Sequence, residues 1–160
     1  MLHTYTCAFF GHRDFCFNYK NEAALDNILR QLIKNNEYLE FLVGRNGEFD
    51  RFAASRIVHA KKQYGNFNSS LTLVLPYHSA EFYNNEKYFL DYYDEVEICE
   101  QSSIAHYKSA MKIRNQNMVE RADLIICYIE RNTGGAYKAV QYANFLQKPI
   151  INLAEINSDN

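Results

Sequence analysis

Three short stretches concentrate residue types that handle anions: Gly11-His12-Arg13-Asp14, Gly44-Arg45-Asn46-Gly47-Glu48-Phe49-Asp50, and Asn132-Thr133-Gly134-Gly135-Ala136. Glycine removes the Cβ that would hold a backbone N–H away from a phosphate. A helix that starts just after it presents free N–H donors and the positive end of its dipole. Gly134 and Gly135 stand before a helical pattern over residues 136–146, and Gly44 and Gly47 before another that reaches Tyr64. Neither turn is a Walker A or a GxGxxG motif, so the signal lies in their combination.

Each polar residue in these turns has a chemical reading and a bland one. Arg13 would pair with a phosphate, or form an ion pair with Asp14 or Asp50. His12 would orient a ligand, or cap the first strand through a backbone hydrogen bond. Glu48 and Asp50 fall in a helix first turn, where a carboxylate suits the macrodipole in any case. An acid repels phosphate, so Asp50 is expected to accept hydrogen bonds from a ribose or a base. Glu130 follows a strand and either faces the same edge or is an exposed loop acid. Arg114 and Asn115 sit within a helical stretch, where a basic residue is normally solvated. Stacking on a purine falls to Tyr77, Tyr83 or Tyr137.

The elements that must position these groups follow from hydrophobic periodicity. Apolar runs at residues 5–10, 38–43, 70–75, 96–99, 123–129 and 149–153 read as strands. Helical spacing marks residues 22–35, 49–64, 103–121 and 136–146, and Gly65 ends the second of these. Residues 77–94, rich in Tyr, Asn and acids, read as a loop with a helical turn. Strands this apolar leave neither face wet, which implies a mainly parallel sheet covered on both sides. The expected fold is α/β, a three-layer, doubly wound, Rossmann-like domain over residues 1–156, with a polar tail at 157–160. All three turns then lie at the carboxyl edge of the sheet, where open α/β sheets bind ligands.

Composition bounds the function. With 160 residues, a net charge of −2, 48% hydrophobic and 15% aromatic residues, the chain holds a sizeable core and no bulk basic field. That excludes a disordered chain and makes nucleic acid an unlikely partner. No apolar run reaches membrane-spanning length, and the first residues lack the pattern of a signal peptide, so a cytoplasmic protein is expected. Cys7, Cys16, Cys99 and Cys127 show no CxxC spacing. They read as reduced hydrophobes, and neither metal nor cofactor is expected. The Tyr-rich stretch at 83–93 offers a surface for a homodimer contact.

The sequence also resembles a known group. Thr6-Cys7-Ala8-Phe9-Phe10-Gly11-His12-Arg13 resembles the opening strand and GHR turn of the small YpsA-like proteins of the SLOG superfamily. Gly44 to Asp50 resembles their G-x-x-G-x-x-D turn, and Arg114-Asn115-Gln116-Asn117-Met118 their R-N-x-x-M motif. Residues 122–126, Gly134-Gly135-Ala136 and Lys148-Pro149-Ile150 are similar to the closing β-α-β unit. The resemblance spans residues 6–153 and implies a Rossmann-like fold, with Arg13, Asp50, Arg114 and Asn115 among the site residues. The wider superfamily includes Lonely-Guy-type phosphoribohydrolases, DprA-type recombination mediators and sensors of nucleotide-derived ligands.

One departure bears on catalysis. Lonely-Guy-type enzymes carry P-G-G-x-G-T-x-x-E, whose Glu serves catalysis. Here the turn continues Ala136-Tyr137-Lys138-Ala139-Val140, and no acid occurs between Gly135 and Leu153. The expectation is therefore a nucleotide- or nucleotide-sugar-binding module, ADP-ribose-like in ligand class and sensing or regulatory in role. Its ligand residues would be Gly11, His12, Arg13, Gly44, Gly47, Asp50, Arg114, Asn115, Gly134 and Gly135. The alternatives are a nucleotide N-glycosidase with a relocated carboxylate, Glu48, Asp50 or Glu130, and a single-stranded DNA binder.

Overall fold

The structure, a computed structural model, describes residues 3–65 and 67–156. The apolar runs form β1 (Thr4–Gly11), β2 (Tyr38–Val43), β3 (Ser69–Leu75), β4 (Glu95–Ile98), β5 (Leu124–Tyr128) and β6 (Ile150–Asn152). Between them lie α1 (Tyr19–Asn35), α2 (Glu48–Tyr64), α3 (Ala80–Asn84), α4 (Glu86–Tyr92), α5 (Glu100–Ser103), α6 (Tyr107–Arg121) and α7 (Gly135–Phe145). A 3₁₀ turn, Leu153–Glu155, follows β6.

All six strands run parallel in the order β4-β3-β2-β1-β5-β6. The chain walks outward from β1 to β4, then returns to place β5 on the other side of β1. The order reverses between β1 and β5, and that crevice is where a doubly wound sheet binds ligands. The Rossmann-like α/β fold read from the sequence is the fold observed.

Side chains alternate across the sheet, so each strand feeds two cores. Cys7 and Phe9 of β1 pack with Leu25, Leu29 and Ile33 of α1 and with Phe49, Ala53 and Ile57 of α2. Ala8 and Phe10 face the other way, onto Met118 and Val119 of α6 and Ala139 and Ala143 of α7. The short edge strands β4 and β6 limit the unpaired backbone offered to another chain. Arg121 at the end of α6 bonds Glu97 at 2.7 Å and reaches Glu40 at 3.4 Å. Among the described residues, no helix is long and apolar enough to cross a membrane.

The expected elements need four adjustments. Helix α1 starts a turn earlier than residue 22, because the Asn18 side chain accepts the Asn21 N–H at 2.9 Å and caps it. The stretch at 77–94 is not a loop with one turn. It holds α3 and α4, with Ser79 Oγ accepting the Phe82 N–H and Phe82, Phe89 and Tyr93 buried in the core. The helix expected over 103–121 is broken. Ser102 donates to the Pro76 carbonyl at 2.6 Å, which fixes α5, and His106 Nδ1 accepts the Lys108 N–H to start α6 afresh. Ile104, whose helical spacing with Met111 and Met118 predicts burial, is 86% exposed at the break. Finally, the apolar content of residues 123–129 predicts a central, buried strand; β5 is internal and buried, but β1 and β2 occupy the middle of the sheet. The expected polar tail, residues 157–160, lies outside the described residues.

Candidate functional site

The carboxyl ends of β1, β2 and β5 open on a cleft of about 450 Å³. That volume is within the range of small-molecule sites, roughly 300–1,000 Å³. The cleft gathers Gly11, His12 and Arg13 from the first turn, Gly44, Asn46 and Asp50 from the second, and Gly134 and Gly135 from the third. Arg114 and Asn115 complete the wall from α6, and Phe10, Met111 and Met118 supply apolar surface. Of the expected ligand residues, Gly47 is outside the lining.

The glycines serve different ends. Gly11 and Gly47 are packing glycines: a Cβ on Gly11 would run into the Phe49 ring, and one on Gly47 into the Arg13 backbone. A Cβ on Gly44 would stand 3.0 Å from the Arg114 guanidinium and 3.1 Å from Asp50 Oδ2, so Gly44 keeps open the gap between a buried cation and an acid. Gly134 has φ 96°, a left-handed conformation that suits glycine. It precedes α7, and no side chain caps that helix start. The first-turn N–H groups of α7 are therefore unsatisfied by a cap, as an anion site requires. Asn115 Nδ2 stands 3.9 Å from where a Cβ on Gly135 would be, which places a side-chain donor beside the same helix start.

Arg114 is not the solvated mid-helix arginine that its flanking sequence suggests. It is 2% exposed. Its NH1 donates to the Val74 carbonyl at 2.6 Å and its Nε to Asn115 Oδ1 at 2.9 Å. The second bond orients the Asn115 amide so that Nδ2 is left to donate. Burial pushes the Arg114 pKa down, and the charge of Asp50 opposes that shift. Asp50 in turn accepts the Asn46 N–H at 2.9 Å. Desolvation raises its carboxyl above the ordinary 3.8, against the pull of the Asn46 bond and of Arg114 and Arg13.

His12 takes the backbone-bonding role. It is 5% exposed, and its Nε2 accepts the N–H groups of Glu130 and Arg131 at 3.1 and 3.3 Å. Arg13 is exposed on the cleft and forms no ion pair among the described residues. Of the two partners considered for it, Asp14 pairs with Arg131 at 2.7 Å, and Asp50 forms no ion pair with it among the described residues. Arg45 also leaves the site. Its Nε bonds Glu81 at 3.1 Å and its guanidinium lies 4.6 Å over the Phe89 ring. Glu130 and Glu48 are exposed and outside the cleft lining, and Glu48 pairs with Arg51 at 2.9 Å. None of Tyr77, Tyr83 and Tyr137 lines the cleft. Sequence reasoning missed Arg131, Met111 and Met118 as lining residues. An i, i+7 pair of methionines flanking Arg114 was the available signal for the latter two.

No cysteine lines the cleft; Cys7, Cys99 and Cys127 are buried as expected of small hydrophobes, whereas Cys16 is exposed. Burial pushes the thiols of Cys7 and Cys127 up to about 12, far from thiolate at neutral pH.

No protein-family model and no curated protein sequence matches the chain. Solved structures do match. DNA processing protein A from Streptococcus pneumoniae superposes with a TM-score of 0.62 at 11% identity, covering 91% of this chain and 49% of that one. DNA processing protein A from Helicobacter pylori, described for its single-stranded DNA binding mode, gives 0.61 at 16% identity, covering 91% and 63%. The molybdenum cofactor carrier protein of Chlamydomonas reinhardtii gives 0.57 at 13% identity, covering 92% and 75%. This chain has the Rossmann-like fold of these proteins, and it spans about half the length of the first. At such identities the likeness is one of fold.

Proposed function

We propose that the chain is a YpsA-like SLOG domain that binds a nucleotide-derived small molecule in the cleft between β1 and β5. One observation carries the reading. The uncapped start of α7, the Asn115 amide and an arginine without an ion pair, Arg13, stand on the walls of a single cleft at the switch point. In this reading a phosphate sits on the Gly134–Gly135 turn with Arg13 as counter-ion. The sugar lies toward Asp50, the carboxylate of the second turn that lines the cleft. The base rests against Met111, Met118 and Phe10.

The geometry favours binding over N-glycosidic cleavage. Of the relocated carboxylates considered, Glu130 and Glu48 stand outside the cleft, which leaves Asp50. A buried carboxyl anchored by the Asn46 N–H suits a fixed acceptor better than an attacking group. Incubation with AMP or ADP-ribose is expected to release no free base.

The likeness to DNA processing protein A supports a second reading, single-stranded DNA binding. One screen separates the two. Thermal unfolding is followed with AMP, ADP, ADP-ribose, NAD and cyclic nucleotides, and in parallel with an oligothymidylate at several salt concentrations. A small ligand at a hundred times its Kd adds about 2.7 kcal/mol of stability. Stabilisation by a nucleotide, weakened in Arg13→Ala by roughly 1.5–3 kcal/mol of binding energy, is the expected result. Steeply salt-dependent binding of the oligonucleotide alone would replace it with the second reading.

A further inference from the structure

Arg131 lies on the cleft wall, in the loop after β5, and the role it plays there is set by two contacts. Its main chain is fixed, because its N–H donates to His12 Nε2 at 3.3 Å. Among the described residues its guanidinium is hydrogen-bonded to Asp14, through NH1 to Oδ2 at 3.2 Å and NH2 to Oδ1 at 2.7 Å, and the charge of the adjacent Glu130 adds to that attraction. Asp14 also lines the cleft. The two side chains are 49% and 68% exposed. An exposed pair of this kind contributes little to stability, since water and salt compete for both partners.

The fork geometry of that pair matters for what can replace it. A guanidinium binds two oxygens of a carboxylate or of a phosphoryl group in the same bidentate way, and a terminal phosphate or a whole diphosphate brings more charge than a carboxylate. Chloride or a simple carboxylate offers Arg131 nothing beyond what Asp14 already supplies. A phosphoryl group does.

We propose that Arg131 is an exchangeable phosphate contact. In the free protein Asp14 holds it, and a phosphoryl group of the ligand takes its guanidinium from that carboxylate. Asp14 is then a specificity device: it is a built-in competitor that weak anions do not displace. This inference rests on the nucleotide reading given above and adds to it a second cation, held on the loop after β5 by the neighbours of Arg13 and absent from the motifs that suggested the site.

The test is a titration calorimetry cycle with AMP and ADP-ribose as probes, on the parent protein, Asp14→Asn, Arg131→Ala and the double variant. Both residues are exposed, so folding is expected to be retained, and circular dichroism checks it. Asp14→Asn should bind roughly two- to fivefold more tightly, the scale of an exposed ion pair. Arg131→Ala should bind about tenfold more weakly, the scale of one lost charge-assisted bond. In the Arg131→Ala background, Asp14→Asn should change nothing, because no captive cation remains to release.

Four outcomes overturn the proposal. Equal weakening by both single variants makes the pair a structural staple. The same tightening by Asp14→Asn with or without Arg131 makes Asp14 a source of repulsive field only. Equal affinities in all four proteins remove the exchange while leaving the nucleotide reading intact. If none of the four binds either probe, the nucleotide reading itself fails, and the exchange with it.

Discussion

His12 Nε2 accepts the backbone N–H groups of both Glu130 and Arg131, and so ties the end of β1 to the loop after β5 across the point where strand order reverses. Only a neutral imidazole with its proton on Nδ1 has a lone pair at Nε2 to offer. Desolvation first, then the nearby Arg131, lowers the His12 pKa below its ordinary 6.5.

The sign of the pH dependence follows. Between the lowered folded value and the ordinary value, the unfolded chain binds more protons than the folded one, so stability rises with pH there. The contribution of His12 is full above about pH 6.5 and is lost as pH falls through the folded value. His12→Ala leaves two backbone donors without their acceptor and should cost about 1–3 kcal/mol at neutral pH. Urea unfolding of parent and variant from pH 4 to 8 measures both effects. A variant that retains the parent's acid-side loss would assign that loss to other groups.

Asp50 works in the opposite sense. Its carboxyl is raised above the ordinary 3.8, so in the interval above that value the folded state holds the extra proton. Stability attributable to Asp50 is present at low pH and lost as pH rises through the folded value. Asp50→Asn keeps an oxygen for the Asn46 N–H and removes the titration. The stability of the variant should therefore lack this falling component, read as a difference between two pH series. Parallel curves would show that Asp50 ionises freely in the fold.

The adjacent glycines of the third turn should respond differently to the same change. Gly134→Ala forces an L-residue to φ 96° and should cost about 1–2 kcal/mol. Gly135→Ala meets only Asn115 Nδ2, at 3.9 Å, which is ordinary contact, so its effect on stability should be small. Thermal unfolding of the two variants provides the comparison. Equal losses would mean that the turn does not hold Gly134 in the left-handed region.

The parts of this molecule that were legible in the sequence are those decided locally. Residues 38–43 are an apolar run stopped by Gly44, and β2 occupies them all. The spacing of Phe49, Ala53, Ile57 and Ala60 marks the buried face of α2. The glycine turns revealed the edge of the sheet on which the cleft lies. What escaped depends on partners far along the chain. Residues 77–94 have no clean period because Phe82, Phe89 and Tyr93 are buried one by one, with Arg45 lying over the Phe89 ring. The burial of Arg114 depends on the Val74 carbonyl, 40 residues away. Arg131 looked like any loop arginine, and only its pairing with Asp14, 117 residues earlier, gives it a place.

The glycosidase alternative turns on a carboxylate being placed for attack, and Asp50 is the relocated candidate that reaches the cleft. Chromatography of AMP and ADP-ribose after prolonged incubation should show no free adenine. Adenine in excess of the protein, abolished by Asp50→Asn, would make the domain an enzyme.

The most direct test of the central claim is amide chemical-shift mapping of the isotopically labelled protein during titration with the nucleotide that stabilises it most. Binding in the proposed cleft should move the N–H signals of Gly135, Ala136 and Tyr137 at the start of α7, with Arg13 and Asn46 beside them, and Arg13→Ala should shift the titration to higher ligand concentration. Shifts gathered instead around Phe15, Phe17 and Phe52, which line a separate groove between the first turn and α2, would contradict the account.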